Sequence, residues 1–459
     1  MPFRLPSLLF SLLTAFLMVS CSGDASPNPV EQVPPVEETP LTEGDGSSGT
    51  ITVDPGIRYQ TMDGFGTSLG MFDDPHLNGS HDFSGGGLIM TEAQKDTILD
   101  LLYSPTKGIG LNRARVHLVT LGWQPTYGAR VITDAPPPGP RGQPTMDLIG
   151  RATQRNPDFK TGFQIGLYDR WITPATSPLD VATYIKTGLD YARQNGHEPD
   201  WVGIQNEPSV ASVRFTGANL RDITIALKRL LESDGYSTRV SAPDDINDTV
   251  GAEKTAAMLA DPEARGFIKS LSIHLYGDMS PTAMLALSKQ YGIPLWMTEY
   301  FDDWGDEVTW GAGIVHEMIV NYNCAAVDML FGWLGSPAFG NPGATYITLN
   351  STGSTYQGYK LNPSYYQTGH WSKYVKRGAV RVAAESTNPA IKVSAFTRNG
   401  KRVVVLINMG RVNESVKIPA GAFRVIRTQL SGSDRLTDRG VFSSSIILPE
   451  RSFTTLVER

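Results

Sequence analysis

Residues 178–207 read PLDVATYIKTGLDYARQNGHEPDWVGIQNE and contain one complete unit of the predicted fold. Apolar side chains recur at helical spacing over 178–194, and the following run Trp201–Gln205 is nearly continuous in apolar residues. Such a run is typical of a parallel strand that is buried on both faces. The stretch therefore predicts a helix followed by a buried parallel strand, with Glu207 just beyond the strand end.

The same alternation extends on both sides of this unit, over residues 60–376. The clearest amphipathic stretches are Thr91–Tyr103, Pro178–Gln194, Gly217–Ser233 and Gly311–Ala325. The eight β-type runs are Gly64–Leu69, Asn112–Val119, Gly162–Leu167, Trp201–Gln205, Arg239–Ala242, Leu271–Leu275, Leu295–Thr298 and Met329–Trp333. Eight strand–helix repeats over about 300 residues predict an α/β fold, a (β/α)8 TIM barrel. A doubly wound sheet is the alternative, but no GxGxxG follows the first run.

Beyond residue 376 the pattern changes to short strands separated by Gly, Asn, Pro and Ser turns. The predicted strands are Ala379–Ala384, Ile391–Thr397, Arg402–Asn408, Glu414–Ile418, Phe423–Leu430, Ser443–Leu448 and Phe453–Val457. This spacing predicts an appended antiparallel β-sandwich side domain over 377–459. We expect residues 50–59, with the strand-like Thr50–Asp54, to join it.

Composition and charge exclude several classes of function. The chain has 459 residues, with 46 acidic and 40 basic side chains and a formal net charge of −6. This balance argues against nucleic acid as a partner, which would require a basic surface. The two cysteines, Cys21 and Cys324, form no CxxC, and the seven histidines show no metal-ligand spacing. We predict no cofactor and no metal, and we expect Cys324 to be a buried structural thiol in the apolar helix before the eighth strand.

The N-terminus predicts export. Residues 1–20 place Arg4 before an apolar run that is shorter than the roughly 20 residues of a membrane-spanning helix. Residues 17–21 read LMVSC and resemble a bacterial lipobox, in which Cys21 is acylated; an ordinary secretory signal is the alternative. The segment 21–49 carries five prolines, six acids and no Lys or Arg, the composition of a disordered tether. We expect an outer-membrane or cell-surface lipoprotein that contacts the membrane through this anchor only, or otherwise a periplasmic or secreted protein.

Two glutamates follow predicted strand ends. Glu207 comes after the fourth strand, and Glu299 ends the seventh in residues 294–300, PLWMTEY. Functional residues of a TIM barrel lie at the carboxyl ends of its strands, and strands four and seven face each other across the mouth. Two facing carboxyls are what glycoside hydrolysis requires, because one protonates the leaving oxygen and the other attacks the anomeric carbon or activates water. The alternatives are an acid at a helix start for Glu207 and a buried acid paired with an arginine for Glu299.

These two motifs, Asn206-Glu207-Pro208 and Thr298-Glu299-Tyr300, resemble those of clan A glycoside hydrolases. Three further stretches are similar to glycoside hydrolase family 30: MDGFG at 62–66, YQTGHWSKYV at 366–375 and LPERSFTT at 448–455. The resemblance covers residues 51–459. It implies a retaining mechanism in which Glu207 is the acid/base and Glu299 is the nucleophile.

One stretch departs from the family pattern. Family members commonly have a Trp-Ser-Pro-Pro-like run after the third strand, where this chain reads LYDRWITP at 167–174. The rim is therefore rebuilt, and the substrate does not follow from the resemblance. Thr67-Ser68-Leu69 resembles the branch that contains endo-β-1,6-galactanases.

Further residues are implied around the two glutamates. The predicted substrate-binding side chains are Arg115, Asn206, His274, Tyr276 and Trp333. Arg115 matches the arginine beside the nucleophile, with Arg113 as the alternative, and Asn206 would bind the sugar 2-hydroxyl. His274 and Tyr276 end the sixth strand near the nucleophile, and Trp333 would stack under the −1 sugar. Their alternatives are a turn residue for Asn206 and core packing for the other three. Aromatic residues in rim loops could form outer subsites: Trp123, Tyr127, Trp171, Trp304 and Trp310.

We therefore predict a retaining β-glycoside hydrolase without a cofactor that cleaves an extracellular polysaccharide or oligosaccharide. Endo action on a galactan, xylan or glucan is expected, and an exo-acting glycosidase on small glycosides or glycolipids is the alternative. A catalytically dead carbohydrate-binding lipoprotein would not need both glutamates and Arg115. An aldolase-type barrel would need a lysine at a strand end, and the eight predicted strands contain none.

Overall fold

Eight parallel strands close into the predicted barrel in the computed structural model. The structure describes residues 49–69, 89–117, 142–166, 168, 171–276, 280–300, 311–335 and 345–459. After a first strand β1 (Gly49–Thr61), the barrel strands are β2 (Gly64–Ser68), β3 (Arg113–His117), β4 (Lys160–Gln164), β5 (Trp201–Gly203), β6 (Arg239–Asp245), β7 (Ile268–His274), β8 (Leu295–Glu299) and β9 (Cys324–Gly335). Each strand pairs with the next, and β9 returns to pair with β2, which closes the sheet.

Helices alternate with these strands as the apolar periodicity predicts. The helices are α1 (Glu92–Tyr103), α2 (Gly142–Arg155), α3 (Pro178–Gln194), α4 (Gly217–Ser233), α5 (Asp248–Leu259), α6 (Pro262–Phe267), α7 (Thr282–Tyr291), α8 (Gly311–Val320) and α9 (Pro363–Ser372). Local signals set their starts: Thr91 and Thr216 form capping boxes, and Ser177 caps the helix that begins with Pro178. Among the helices that the structure describes, none is long and apolar enough to cross a bilayer.

The last barrel strand differs from its prediction. It begins at Cys324, so this cysteine lies at a strand start, whereas the sequence placed it in a helix. Helix α8 ends earlier, at Val320, and Asn323 adopts a left-handed backbone with φ of 53° before the strand. The thiol is buried as expected, and burial raises its pKa.

Two further strands extend the barrel sheet beyond β9, and the sequence analysis missed them. β10 (Thr345–Thr352) runs parallel to β9, and β11 (Thr355–Leu361) pairs with β10 as a hairpin. The predicted eight-strand repeat left these residues as connection, because each barrel strand was expected to lead into a helix.

The side domain contains nine strands in the order β17-β16-β19-β14-β13-β12-β1-β15-β18. Its strands from the end of the chain are β12 (Val380–Ser386), β13 (Ile391–Arg398), β14 (Lys401–Asn408), β15 (Glu414–Lys417), β16 (Phe423–Gln429), β17 (Thr437–Phe442), β18 (Ser445–Leu448) and β19 (Ser452–Glu458). β1 pairs antiparallel with β12 and parallel with β15, so a segment that precedes the barrel completes the C-terminal sheet. β17 was not predicted, and its exposed side chains show little apolar alternation.

A packed layer fills the lower half of the barrel and separates the two arginines of β3. Arg113 and Arg115 share the inward face because alternate strand residues point to one side. The Arg113 guanidinium lies 2.8 Å from Asp328 Oδ1 and over the rings of Trp201 and Trp296, at 4.5 and 4.1 Å from their centroids. Arg113 is thus part of the core, and Arg115 is the arginine that reaches the mouth.

Candidate active site

The predicted site residues come from different strands and meet at one end of the barrel. Arg115 lies on β3, Asn206 and Glu207 follow β5, His274 ends β7, and Glu299 ends β8. All these positions lie at the carboxyl ends of parallel strands, which in a TIM barrel form a single face. The fold therefore brings together residues that are separated by up to 184 positions in the chain.

Glu299 is held by two donors. Arg115 Nη1 donates to its Oε2 at 2.5 Å, and the Tyr276 hydroxyl donates to its Oε1 at 2.8 Å. Glu299 is only 7% exposed. A cation and a hydroxyl directed at a buried carboxylate favour its ionised form and fix its orientation.

Asp244 is a member of this network that the sequence analysis missed. Arg115 Nη2 donates to Asp244 Oδ2 at 2.9 Å, and the Thr298 hydroxyl donates to Oδ1. Burial opposes the charge on Asp244, but Arg115 and His274 outweigh it and hold the pKa of this carboxyl well below its usual value. The available signal was the pair of acids one residue beyond the predicted strand Arg239–Ala242, which in the structure continues to Asp245.

His274 lies between Glu207 and Asp244. Its Nδ1 lies 2.9 Å from Glu207 Oε1, and its Nε2 lies 3.4 Å from Asp244 Oδ1. Burial alone would favour the neutral ring, but the carboxylates of Glu299 and Asp244 raise the pKa of His274 to about 10. The raised pKa favours the charged ring, and its two nitrogens face Glu207 and Asp244, so His274 is not an inert core histidine.

The three carboxylates of this network have unequal surroundings. Two cations, Arg115 and His274, face three carboxylates, Asp244, Glu299 and Glu207, within the network that the described residues form. Asp244 and Glu299 are each bound to Arg115, whereas Glu207 contacts only the histidine and is the most exposed of the three, with 17% of its side chain accessible. Among these three carboxyls, the two that contact Arg115 are thus distinguished from Glu207, whose side chain faces the histidine.

The distance between the two glutamate carboxyls is typical of a retaining glycosidase. An oxygen of Glu207 and an oxygen of Glu299 lie within 4.8 Å of each other. Retaining glycosidases hold their carboxyls about 5–5.5 Å apart, whereas inverting enzymes need about 6.5–9.5 Å to admit a water. These oxygens and a His274 nitrogen could also ligate a metal, but the Arg115 cation already lies 2.5 Å from Glu299.

The other predicted residues are placed less uniformly. Asn206 accepts a hydrogen bond from Arg115 through Oδ1 and lies at the mouth. Trp333 is on β9 but only 2% exposed, so its ring packs in the core, and a stacking role would require that ring to be uncovered. Trp171 packs edge-on against Tyr184 of α3. Outside the described residues lie Cys21 with the predicted signal and tether, and Trp123, Tyr127, Trp304 and Trp310.

Comparisons with known proteins follow the division of the fold. Residues 88–368 match the profile of glycosyl hydrolase family 59, and residues 378–456 match that of the glycosyl hydrolase family 30 beta sandwich domain. Glucuronoxylanase XynC of Bacillus subtilis is 27% identical over 297 residues, which cover 60% of this chain. That alignment spans 65% of the relative's length, just under two thirds.

Solved structures share the whole fold. An endo-β-1,6-glucanase superposes with a TM-score of 0.72 at 21% identity, covering 90% of this chain and 94% of that one. The catalytic domain of a family 30 xylanase from Talaromyces cellulolyticus superposes with a TM-score of 0.69 at 19% identity, covering 89% and 100%. The family 59 profile matches more than half of the chain, so the chain belongs to the glycosyl hydrolases of that profile, and its side domain matches the family 30 beta sandwich domain.

Proposed function

We propose that this protein is a retaining β-glycoside hydrolase that cleaves within the chain of an extracellular polysaccharide. The observation that carries the proposal is the pair Glu207 and Glu299, whose oxygens lie within 4.8 Å of each other in unequal surroundings. One carboxylate is bound to a guanidinium and the other is not, which is the asymmetry that a nucleophile and a general acid require.

In the first step, Glu299 attacks the anomeric carbon, and the glycosidic C–O bond breaks. Glu207 gives its proton to the leaving oxygen, so the departing sugar chain leaves as a neutral alcohol. Arg115 and Tyr276 keep Glu299 ionised and aimed, because both donate to its oxygens. The product of this step is a glycosyl ester on Glu299.

In the second step, Glu207 acts as the base. It takes a proton from a water molecule, the water oxygen attacks the anomeric carbon, and the ester bond to Glu299 breaks. The proton that Glu207 gave up is thereby recovered. His274 lies 2.9 Å from Glu207 and can stabilise the carboxylate form that exists between the two steps.

The substrate class is proposed from the names of the relatives. The Bacillus subtilis relative is named a glucuronoxylanase, and one structural neighbour is an endo-β-1,6-glucanase. A β-linked xylan or β-1,6-glucan is therefore the first candidate. A β-1,6-galactan follows from the Thr67-Ser68-Leu69 resemblance alone.

A polysaccharide panel tests this proposal. Purified protein is incubated with glucuronoxylan, arabinoxylan, β-1,6-glucan, β-1,6-galactan and β-1,3-glucan, and the products are sized over time. Endo action predicts a spread of oligosaccharides from the start, whereas an exo enzyme would release one small product. Proton NMR should show the β-anomer first, and initial release of the α-anomer would contradict retention. Glu299→Gln is the matched inactive control.

A further inference from the structure

We propose that Asp245, Lys254 and Ser209 form a positioning cluster that holds Glu207 at the leaving-group oxygen. The inference rests on the proposed acid/base role of Glu207. None of the three cluster residues lies among the groups assigned to the reaction above. Their contacts converge on the short turn that carries Glu207 out of the barrel.

Glu207 needs such support because its backbone is unusual. Its φ is 46°, in the left-handed region that residues with a side chain rarely adopt. Such conformations persist only where surrounding contacts fix them, and they occur often at functional sites. The Glu207 N–H donates to the Asp244 carbonyl at 2.9 Å, and its own carbonyl accepts from Val210 and Ala211, both at 2.9 Å.

Asp245 fixes the next part of the turn. Its Oδ1 accepts from the Ser209 N–H at 3.2 Å, and its Oδ2 accepts from the Ser209 hydroxyl at 2.7 Å. The same carboxylate also accepts from the N–H of Ile246 at 2.9 Å. Two bonds to one residue restrict both translation and rotation of that residue. Ser209 is two positions beyond Glu207, so its placement limits where the Glu207 backbone can lie.

Lys254 makes the buried carboxylate tolerable. Asp245 is fully buried, and an unpaired buried charge would be strongly unfavourable. Lys254 projects from α5, where its Nζ lies 2.9 Å from Asp245 Oδ2 and 2.5 Å from the Ser209 hydroxyl. The lysine thus links the acid/base turn to a helix that begins directly after β6.

Two adjacent residues at the end of β6 therefore help to position both carboxyls of the proposed mechanism. Asp244 contacts Arg115, which binds Glu299, and its carbonyl accepts from Glu207. The adjacent Asp245 holds the Glu207 turn through Ser209. Because retention depends on the separation of the two glutamates, one strand end that anchors both would keep that separation constant.

Leaving-group dependence distinguishes positioning of the acid from general support of the fold. The substrates are phenyl and 2,4-dinitrophenyl β-xylobiosides, or the gentiobiosides if the panel selects β-1,6-glucan. Phenol needs protonation to leave, whereas 2,4-dinitrophenolate does not. A displaced Glu207 should therefore lower kcat/KM on the phenyl glycoside by about 10–100-fold, since a misplacement near 1 Å can cost that much. On the dinitrophenyl glycoside we expect less than a threefold change.

The variants are Lys254→Met and the milder Ser209→Ala, which keeps the ion pair and removes only the hydroxyl contacts. Lys186→Met is the matched control, because the side chain of Lys186 is also largely covered and forms ion pairs from a helix, with Asp190 and Asp234, but lies away from the site. It should leave both substrates unaffected. Melting temperatures establish whether each variant is folded. If Lys254→Met does not fold, the comparison of the two substrates with Ser209→Ala tests the proposal.

Equal losses on both substrates would overturn the proposal, because a purely structural role lowers them together. The absence of any loss on the phenyl glycoside would overturn it as well. Glu207→Ala, measured in parallel, separates this from a failure of the proposed function. If Glu207→Ala itself shows no preference for the activated leaving group, then the acid/base assignment is wrong and not merely the cluster.

Discussion

Replacing Arg115 with methionine removes the cation from the centre of the site. Its guanidinium lies 2.5 Å from Glu299 and 2.9 Å from Asp244, and all three side chains are more than nine-tenths buried. Methionine has similar length and fills the volume, so the main change is electrostatic. Among the described residues, His274 would then be the remaining counter-charge near these two buried carboxylates.

The size of the effect follows from these distances. Charge centres about 4 Å apart interact by about 4 kcal/mol at an effective dielectric constant of about 20. If the transition state needs that interaction to keep the nucleophile ionised, its loss corresponds to about a thousandfold in rate. Relaxation and the histidine offset part of this, so we expect kcat/KM to fall about 10²–10³-fold. Removal of one partner from a buried pair should also cost about 3–5 kcal/mol of stability.

The assay is kcat/KM on the best polysaccharide between pH 4 and pH 8, together with the melting temperature. Without its cation a carboxylate ionises less readily, so the acidic limb of the rate profile should move to higher pH. Arg115→Lys keeps the charge but loses the paired donors, and we expect an intermediate loss. Activity within threefold of the wild type, with an unmoved acidic limb, would refute the reasoning.

Arg113→Met is the matched control on the same strand. Arg113 is equally buried and pairs with Asp328, but it lies in the lower layer of the barrel and contacts neither glutamate. Its replacement should lower the melting temperature by a comparable amount. Measured well below that temperature, kcat/KM should stay near the wild-type value. A large rate loss in this variant would show that burial of charge, rather than contact with Glu299, controls the rate.

Three other outcomes are expected. Glu299→Ala should lose activity on every substrate and give an α-glycosyl azide with added azide. Glu207→Ala should keep its first step on activated aryl glycosides and give a β-glycosyl azide. If NMR shows the opposite anomers, the two roles are reversed. Cys21→Ala should release an active protein from the membrane fraction, and a variant that still sediments with membranes would remove the anchor hypothesis. Gly162→Ala should lower the melting temperature sharply, because a Cβ there would lie 1.8 Å from an indole carbon on the neighbouring strand. Gly266→Ala is the control and should not lower it, because a Cβ there meets no atom within 4 Å. Equal melting temperatures of the two variants would contradict this account of the barrel interior.

The barrel was predictable because its signals are local. A buried parallel strand shows as a short apolar run, and an amphipathic helix shows as a 3.6-residue period, so Pro178–Gln194 and Gly217–Ser233 were placed with their observed bounds. Where the apolar run continued past the end of a helix, the prediction was too long. The fourth helix stretch was extended to Ala325 on apolar content alone, whereas the helix ends at Val320 and Asn323 adopts a left-handed backbone before the strand.

The two glutamates were also predictable, because residues at the carboxyl ends of TIM-barrel strands lie at the mouth of the barrel. The side chains that contact the two glutamates were harder to predict from the sequence. Arg113 and Arg115 are both arginines on the inward face of the same strand. The structure shows that Arg113 contacts Trp201 and Trp296, whereas Arg115 binds Glu299. No periodicity distinguishes two levels of one barrel.

The sequence by itself therefore determined the architecture, the family resemblance and the pair of carboxyls, since each depends on residues close together in the chain. Tertiary structure alone decided how those carboxyls are charged and held. Asp244 and His274 meet Arg115 across 129 and 159 positions, and Lys254 reaches Ser209 across 45. The physical reason is that pKa values and side-chain positions depend on distances of a few ångströms between residues far apart in sequence, and only the closed barrel sets those distances.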